Sequence, residues 1–372
     1  MARATKEAPQ SAATRAVNAF IEKMDKVYGV GKFILNPPVV PYRVIPTGVL
    51  DLDIKLKVGG WIVGRIHEVW GMEGAGKTLL SLLSLVEAQK CQPDRLVGFI
   101  DMEHRFDEPW AILQGLDLSR LVKVPSDDAE EVADMVKDMC RSGLFSLIVV
   151  DSVGAMISKK EIEKDAEQDT VGLQAKLVTR MVKIAAPSAD KTDTTVLLIN
   201  QVRANVGGYG AATTTGGGFA LRHSSTTKIK ASRTEPIKMR IDGEEVPVGY
   251  KHAFKVERNS VAPAGRTAET VVFNTPTERY GPVGIDRADE AATVGIATNV
   301  ILQQGGGYYV ITPTGERVRG RDAVLDVLRA DPSLSSVIRT RALAALAGEV
   351  LPDLAPVDVD DDEDDAPEAS DG

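Results

Sequence analysis

Gly71, Gly74 and Gly76 stand in the run Gly71-Met72-Glu73-Gly74-Ala75-Gly76-Lys77-Thr78, after an apolar stretch ending at Trp70 and before an apolar run opening at Leu79. Glycines at this spacing let successive backbone N–H groups turn inward around an anion, and the N-terminus of a following helix adds its positive end. Lys77 supplies a point charge for the β- and γ-phosphates, and Thr78 a hydroxyl ligand for Mg2+. The octet fits G-x(4)-G-K-[ST], with strand-like residues before it and helix-like residues after it. It predicts a nucleoside triphosphate site.

Two further runs could complete that chemistry. Ser146-Leu147-Ile148-Val149-Val150-Asp151-Ser152 is an apolar strand closing on an acid. A carboxylate at a strand end beside a phosphate loop holds Mg2+, commonly through water. Phe99-Ile100-Asp101-Met102-Glu103-His104 ends in two carboxylates and is expected to lie on the strand next to the first. Strand ends on one side of such a sheet face the nucleotide. Glu103, just past the strand end, is the expected base that orients the attacking water. An N-cap or a surface acid is the alternative. His104 reads as a structural, hydrogen-bonding histidine.

A fourth stretch has a different chemistry. Residues 194–234 contain no Asp or Glu but include Arg203, Arg222, Lys228, Lys230 and Arg233. Within them, after a strand expected to end at Asn200-Gln201, residues 206–218 form a flexible, uncharged run of Gly, Thr and one aromatic, Tyr209. Backbone N–H and hydroxyl groups can meet nucleic-acid phosphates while an aromatic wedges between bases. The same composition also suits a plain surface loop.

Periodicity outlines the elements that must position these groups. Short apolar runs at 61–70, 96–101, 121–124, 145–151 and 194–200 alternate with helical stretches such as 79–89, 127–141 and 172–186. That alternation predicts an α/β fold with a mostly parallel, covered sheet. Residues 225–275 read as antiparallel strands closing one edge. Residues 276–350 read as a small α/β domain, with a helix at 287–295, a hairpin at 307–318 and helices at 321–330 and 334–347. Near the start, Val17, Phe20, Ile21, Met24, Val27 and Tyr28 form one apolar helical stripe, stopped by Gly29 and Gly31. The stripe must pack either on its own domain or on a neighbouring subunit.

Composition excludes several classes. The chain has 372 residues, 43% hydrophobic and 26% charged, ordinary values for a globular protein. The longest uncharged stretch, 204–221, is rich in Gly and Thr, so no membrane span is expected. The first residues lack the apolar core of a secretory signal. Cys91 and Cys140 cannot build a disulfide framework, and a reducing cytoplasm is expected. The net charge is −9, and the last sixteen residues alone hold nine acids and no base. The body is therefore balanced. The tail, too charged to fold, either competes with nucleic-acid phosphates for Arg and Lys or only aids solubility.

The ordered set GMEGAGKT, FIDMEH, LIVVDSVGAM, EIEKDAEQDTVGLQAK, LINQVR and TTTGGGFALR resembles the RecA family of homologous-recombination ATPases of bacteria and phage, from about residue 15 to residue 347. The resemblance implies a P-loop NTPase core with a twisted, mostly parallel sheet (RecA-like). It divides the chain into an N-terminal polymerisation helix (1–32), an ATPase core with DNA-binding loops (33–275), a small C-terminal α/β domain (276–350) and an acidic tail (351–372). It implies a DNA-dependent ATPase that forms helical filaments of itself on single-stranded DNA, with ATP and Mg2+ between subunits. The filament pairs that strand with homologous double-stranded DNA and exchanges strands. Single-strand-binding or loader proteins are further implied partners.

Site by site, the resemblance makes Glu103, Lys77 and Gln201 catalytic. Gln201 senses the γ-phosphate and leads into the second DNA loop. Gly71 through Leu79, including Met72, Glu73 and Ala75, cradle the nucleotide, with Thr78 and Asp151 at the metal. Trp110 stacks on adenine, with Asp107 near its amino group. The first DNA loop spans 164–171, with Val171 in it and Lys176 after it. The second spans 203–218, with Arg203, Gly207, Gly208, Tyr209, Thr214, Thr215, Gly216 and Gly217, and Arg222 beyond. Two departures stand out. The second loop is shorter than usual, and Arg258-Asn259-Ser260 replaces a Lys-Asn-Lys that faces the neighbour's ATP, leaving Arg258 as the trans cation. A ring-forming helicase would need a larger N-terminal collar than precedes this core. An ATP-gated binding protein without strand exchange is a third reading.

Overall fold

The computed structural model describes residues 12–30, 33, 40–156, 170–204, 213–215, 221 and 224–346. It divides at Tyr42/Arg43 into two compact units. In the first, helix α1 (Ala12–Tyr28) carries the apolar stripe, and the Phe20 and Tyr28 rings both contact Phe33, at 6.1 and 5.9 Å between centroids. Val17, Phe20, Val27 and Tyr28 stay exposed.

The second unit is built on one large sheet. Its strands are β3 (Ile66–Gly71), β4 (Leu96–Asp101), β5 (Leu121–Pro125), β6 (Phe145–Asp151), β7 (Thr195–Ala204), β9 (Thr227–Ile241), β10 (Glu244–Asn259), β11 (Thr267–Phe273) and β12 (Gly284–Ile285). β1 (Val44–Ile45) and β2 (Trp61–Ile62) make a separate pair, and the short β8 (Thr213–Thr215) returns along β7. The path is β12-β11-β10-β9-β3-β7-β6-β4-β5. The six strands from β9 to β5 run parallel, and β10, β11 and β12 close the edge antiparallel.

Period-two alternation explains the two layers. Leu147, Val149, Leu197 and Ile199 point to one face, under helix α3 (Lys77–Cys91), with its Leu80, Leu82 and Leu85. Ile148, Val150, Val196 and Leu198 point to the other, under α5 (Ala129–Ser142) and α6 (Thr170–Thr192). Both faces are covered, so the strands read as continuous apolar runs. The short helices α2 (Leu50–Leu56) and α4 (Glu108–Leu113) complete this part. At its N-terminus α5 is capped by Asp128, which accepts from the Glu130 and Glu131 amides. Gly143 stops it at φ 68°.

Several expectations need correction. The run 61–70 is two strands, because Gly64 at φ +77° turns the chain between them. β9 is not simply antiparallel: it pairs parallel with β3 (Val69↔Ile229) and antiparallel with β10. β4 does not lie next to β3, since β7 and β6 are inserted between them. α6 continues through Pro187 to Thr192, held down by buried Ala185 and Ala189. β7 continues past Gln201 to Ala204 and pairs with β8 (Arg203↔Thr214), so Thr213–Thr215 of the expected flexible run are laddered to the strand before it.

Residues beyond the sheet edge form α7 (Arg287–Ala297), the three-stranded sheet β13 (Ile301–Gln303), β14 (Tyr308–Ile311) and β15 (Glu316–Arg319), then α8 (Arg321–Ala330) and α9 (Pro332–Leu346). Ala291, Val294, Ile311, Val324, Leu328 and Ile338 make its core, which Leu50 of α2 joins. The Leu50 amide also donates to buried Glu290 Oε1 at 2.6 Å. No helix among the described residues is long and apolar enough to cross a membrane.

Candidate nucleotide site

The parallel strands deliver their C-terminal ends to one rim. Gly71 of β3 is in register with Gln201 of β7 and Ala231 of β9, and Asp101 of β4 with Asp151 of β6. Gly71 has no room for a side chain: a Cβ there would sit 2.2 Å from the Ala231 carbonyl oxygen. Gly74 and Gly76 take φ +71° and +91°, conformations that turn the loop from β3 into α3. Met72 and Glu73 are exposed on it, while Ala75 and Leu79 are buried.

Lys77 is buried and its Nζ donates to the Gly71 and Met72 carbonyls at 3.1 and 2.7 Å. Burial lowers its pKa, against the pull of Asp151, Glu103 and Glu73. Thr78 Oγ1 donates to Asp151 Oδ2 at 2.9 Å. Burial pushes Asp151 up to about 6, and nearby Glu103 and Asp101 add to the rise. The Thr78 hydrogen bond and Lys77 oppose it. Hydroxyl and carboxylate thus present adjacent hard oxygens, the donor set that Mg2+ takes when phosphates and water supply the rest.

The two acids after β4 separate by partner. Asp101 Oδ1 and Oδ2 accept from the Arg105 and Phe106 amides at 3.2 and 3.1 Å, so Asp101 clamps its own turn. Glu103 Oε1 accepts from Gln201 Nε2 at 2.5 Å and from the Ser152 hydroxyl. Arg105 lies 3.8 Å from Glu103 and binds Glu73 at 2.7 Å. Glu103 therefore reaches the site although two strands separate β4 from β3. His104 Nε2 pairs with Asp127 at 2.6 Å on the surface.

A pocket of about 270 Å3 opens beside the loop, lined by Gly74–Leu79, Trp110, Arg233, Tyr250, His252, Val272 and Asn274. Asp107 caps α4 by accepting from the Trp110 amide at 2.9 Å, which fixes the tryptophan at the pocket wall. Arg258 does not join it. It lies six residues along β10 from His252, about 20 Å of extended chain.

The expected DNA residues are only partly within the structure. Val171 and Lys176 lie on α6, Lys176 exposed. Arg203, Thr214 and Thr215 lie on the β7–β8 ladder. Gly207, Gly208, Tyr209, Gly216, Gly217, Arg222 and residues 164–169 lie outside the described residues, as does the tail. Lys228, grouped with the basic flanks, is instead buried against Glu68 at 3.2 Å and shares the Trp70 ring with Lys230, each 5.2 Å from the centroid.

Sequence reading missed Ser152, Arg105, Tyr250, His252, Val272 and Asn274. Ser152 was within sight, directly after Asp151. The β10 and β11 residues carry no spacing signal, since they reach the loop only through sheet pairing.

A family profile described as the RecA N-terminal domain matches residues 15–276. The chain is 35% identical over 328 residues to Protein RecA of Thermotoga petrophila, covering 86% of this chain and 88% of that protein. It is 35% identical to Protein RecA of Bacteroides thetaiotaomicron (89% and 97% covered) and 33% identical to that of Nautilia profundicola (94% and 97%). With the phosphate loop, the paired strand-end acids and the sheet order that assembles them, these likenesses place the chain in the RecA family.

Proposed function

We propose that this chain is a DNA-dependent ATPase that forms ATP-bound filaments on single-stranded DNA and exchanges strands with homologous duplex. The observation that carries the reading is the Gln201–Glu103 hydrogen bond. It ties the candidate base to a residue on β7, the strand that leads into the expected DNA segment. Whatever orders that segment acts on the acid through one side chain.

In this reading the amides of residues 71–78 and Lys77 hold the triphosphate. Thr78 and Asp151 hold Mg2+, which when bound neutralises charge on the β- and γ-oxygens. Glu103 orients a water and takes its proton as the oxygen attacks the γ-phosphorus. The bond to the β-phosphate oxygen breaks, leaving ADP and inorganic phosphate. Trp110 stacks on the adenine. Arg258, too distant along β10 from its own loop, meets the ATP of a neighbouring copy. The exposed stripe of α1 docks on another copy, in line with the division into helix 1–32, core 33–275, domain 276–350 and tail 351–372. The reading implies a cytoplasmic protein.

The test is ATP turnover with and without single-stranded DNA, together with electron microscopy. Turnover should require DNA, and filaments should require both ligands. Lys77→Ala should abolish nucleotide binding. A chain that stays monomeric with ATP and single-stranded DNA overturns the proposal.

A further inference from the structure

We infer that Arg233, seated on the ring of Tyr250, is a second cation of the nucleotide pocket and serves the polyphosphate bound to its own chain rather than DNA. The inference rests on the nucleotide reading above.

Strand phase separates Arg233 from its basic neighbours. Through Lys230, Ala231, Ser232 and Arg233 the β9–β10 register is unbroken. Lys228 and Lys230 share one face, at Trp70. Arg233 is out of step with them, so alternation turns it to the opposite face. That face carries its cross-strand partner His252. The His252 Nδ1 lies 3.0 Å from the Ala75 carbonyl oxygen, and a Cβ on Gly76 would come within 2.8 Å of it. His252 therefore positions the β9–β10 pair against the phosphate loop.

The Arg233 guanidinium completes the approach. Its Nη1 lies 3.4 Å from where a Cβ of Gly74 would be, at the crest of the loop. Its Cζ sits 4.5 Å from the Tyr250 centroid. Stacking engages the flat face of a guanidinium and leaves its in-plane N–H donors for an oxyanion. Among the described residues no acid forms an ion pair with Arg233 within 4.0 Å. Lys77, the other cation there, is a single charge facing a triphosphate that carries several.

The test measures equilibrium binding of ATP and ADP to the full chain without DNA, and separately single-stranded DNA binding at saturating non-hydrolysable ATP analogue. Arg233→Gln should weaken nucleotide binding roughly tenfold, the worth of one charge-assisted contact, and Arg233→Lys should recover part of it. Tyr250→Leu, which keeps the arginine and removes its platform, should weaken it in the same direction. DNA affinity at saturating analogue should stay within twofold. If Arg233→Gln keeps nucleotide affinity within twofold while DNA affinity falls, the arginine belongs to the DNA path and the inference fails. If wild type itself does not bind ATP, or Lys77→Ala binds it normally, the underlying nucleotide reading fails instead.

Discussion

Glu103→Gln separates catalysis from binding. The substitution keeps side-chain length and replaces one acceptor oxygen by an amide. In the native site Oε1 accepts from Gln201 Nε2 at 2.5 Å and from Ser152. In the variant a side-chain N–H at that place donates to the oxygen of a turned Gln201 amide, and Ser152 can donate or accept, so the stability cost is one altered hydrogen bond, about 1 kcal/mol. The loss of a positioned base is larger, on the order of 10²- to 10⁴-fold in turnover, or about 3–5 kcal/mol of barrier. The neighbouring acid is the control: Asp101→Asn leaves the turn amides of Arg105 and Phe106 with a poorer acceptor and should lower stability more than the Gln variant does. The assay is DNA-stimulated phosphate release at saturating ATP, with ATP affinity measured separately. Affinity should hold within threefold, and, on the proposed function, filaments should persist because hydrolysis would no longer release subunits. Turnover within threefold of wild type would refute the assignment of Glu103 as base.

Other consequences follow from the core. Burial pulls His67 down from 6.5 to about 4, against the opposing hydrogen bond to the Ile62 carbonyl. The unfolded chain then binds the proton more tightly, so stability is full above the unfolded value and falls as pH drops toward 4. Between pH 7 and pH 5 the loss is about 2 kcal/mol, and His67→Gln should flatten that part of the pH profile of urea unfolding. Lys228→Met strands fully buried Glu68 with Asn200, at 2.9 Å, as its remaining side-chain donor among the described residues, and should cost about 3–5 kcal/mol. Adding Glu68→Gln should recover much of it, and no recovery in denaturant melts would argue against the pair. Gly71→Ala forces β3 away from the Ala231 carbonyl and should reduce both melting temperature and ATP affinity. Thiol labelling of native protein should modify exposed Cys91 and spare Cys140, whose pKa burial raises to about 12.

The phosphate loop is legible in the sequence because its parts are eight consecutive residues whose backbone freedom and charges are local properties. The bounds of α5 were nearly so, since Asp128 and Gly143 act on amides and angles next to them. Position just past the strand end singles out Glu103 over Asp101 as the base, but spacing does not show what either acid meets. Backbone amides of the following turn occupy Asp101, and a glutamine 98 positions away in the chain occupies Glu103. Strand order was likewise hidden. Apolar runs bury equally well beside any parallel neighbour, so the insertion of β7 and β6 between β3 and β4 depends on how the helices cover both faces. The placement of Arg233, Tyr250 and His252 at the loop follows from that order. Their roles come from hydrogen-bonded register between distant strands, a property that no short stretch of chain encodes.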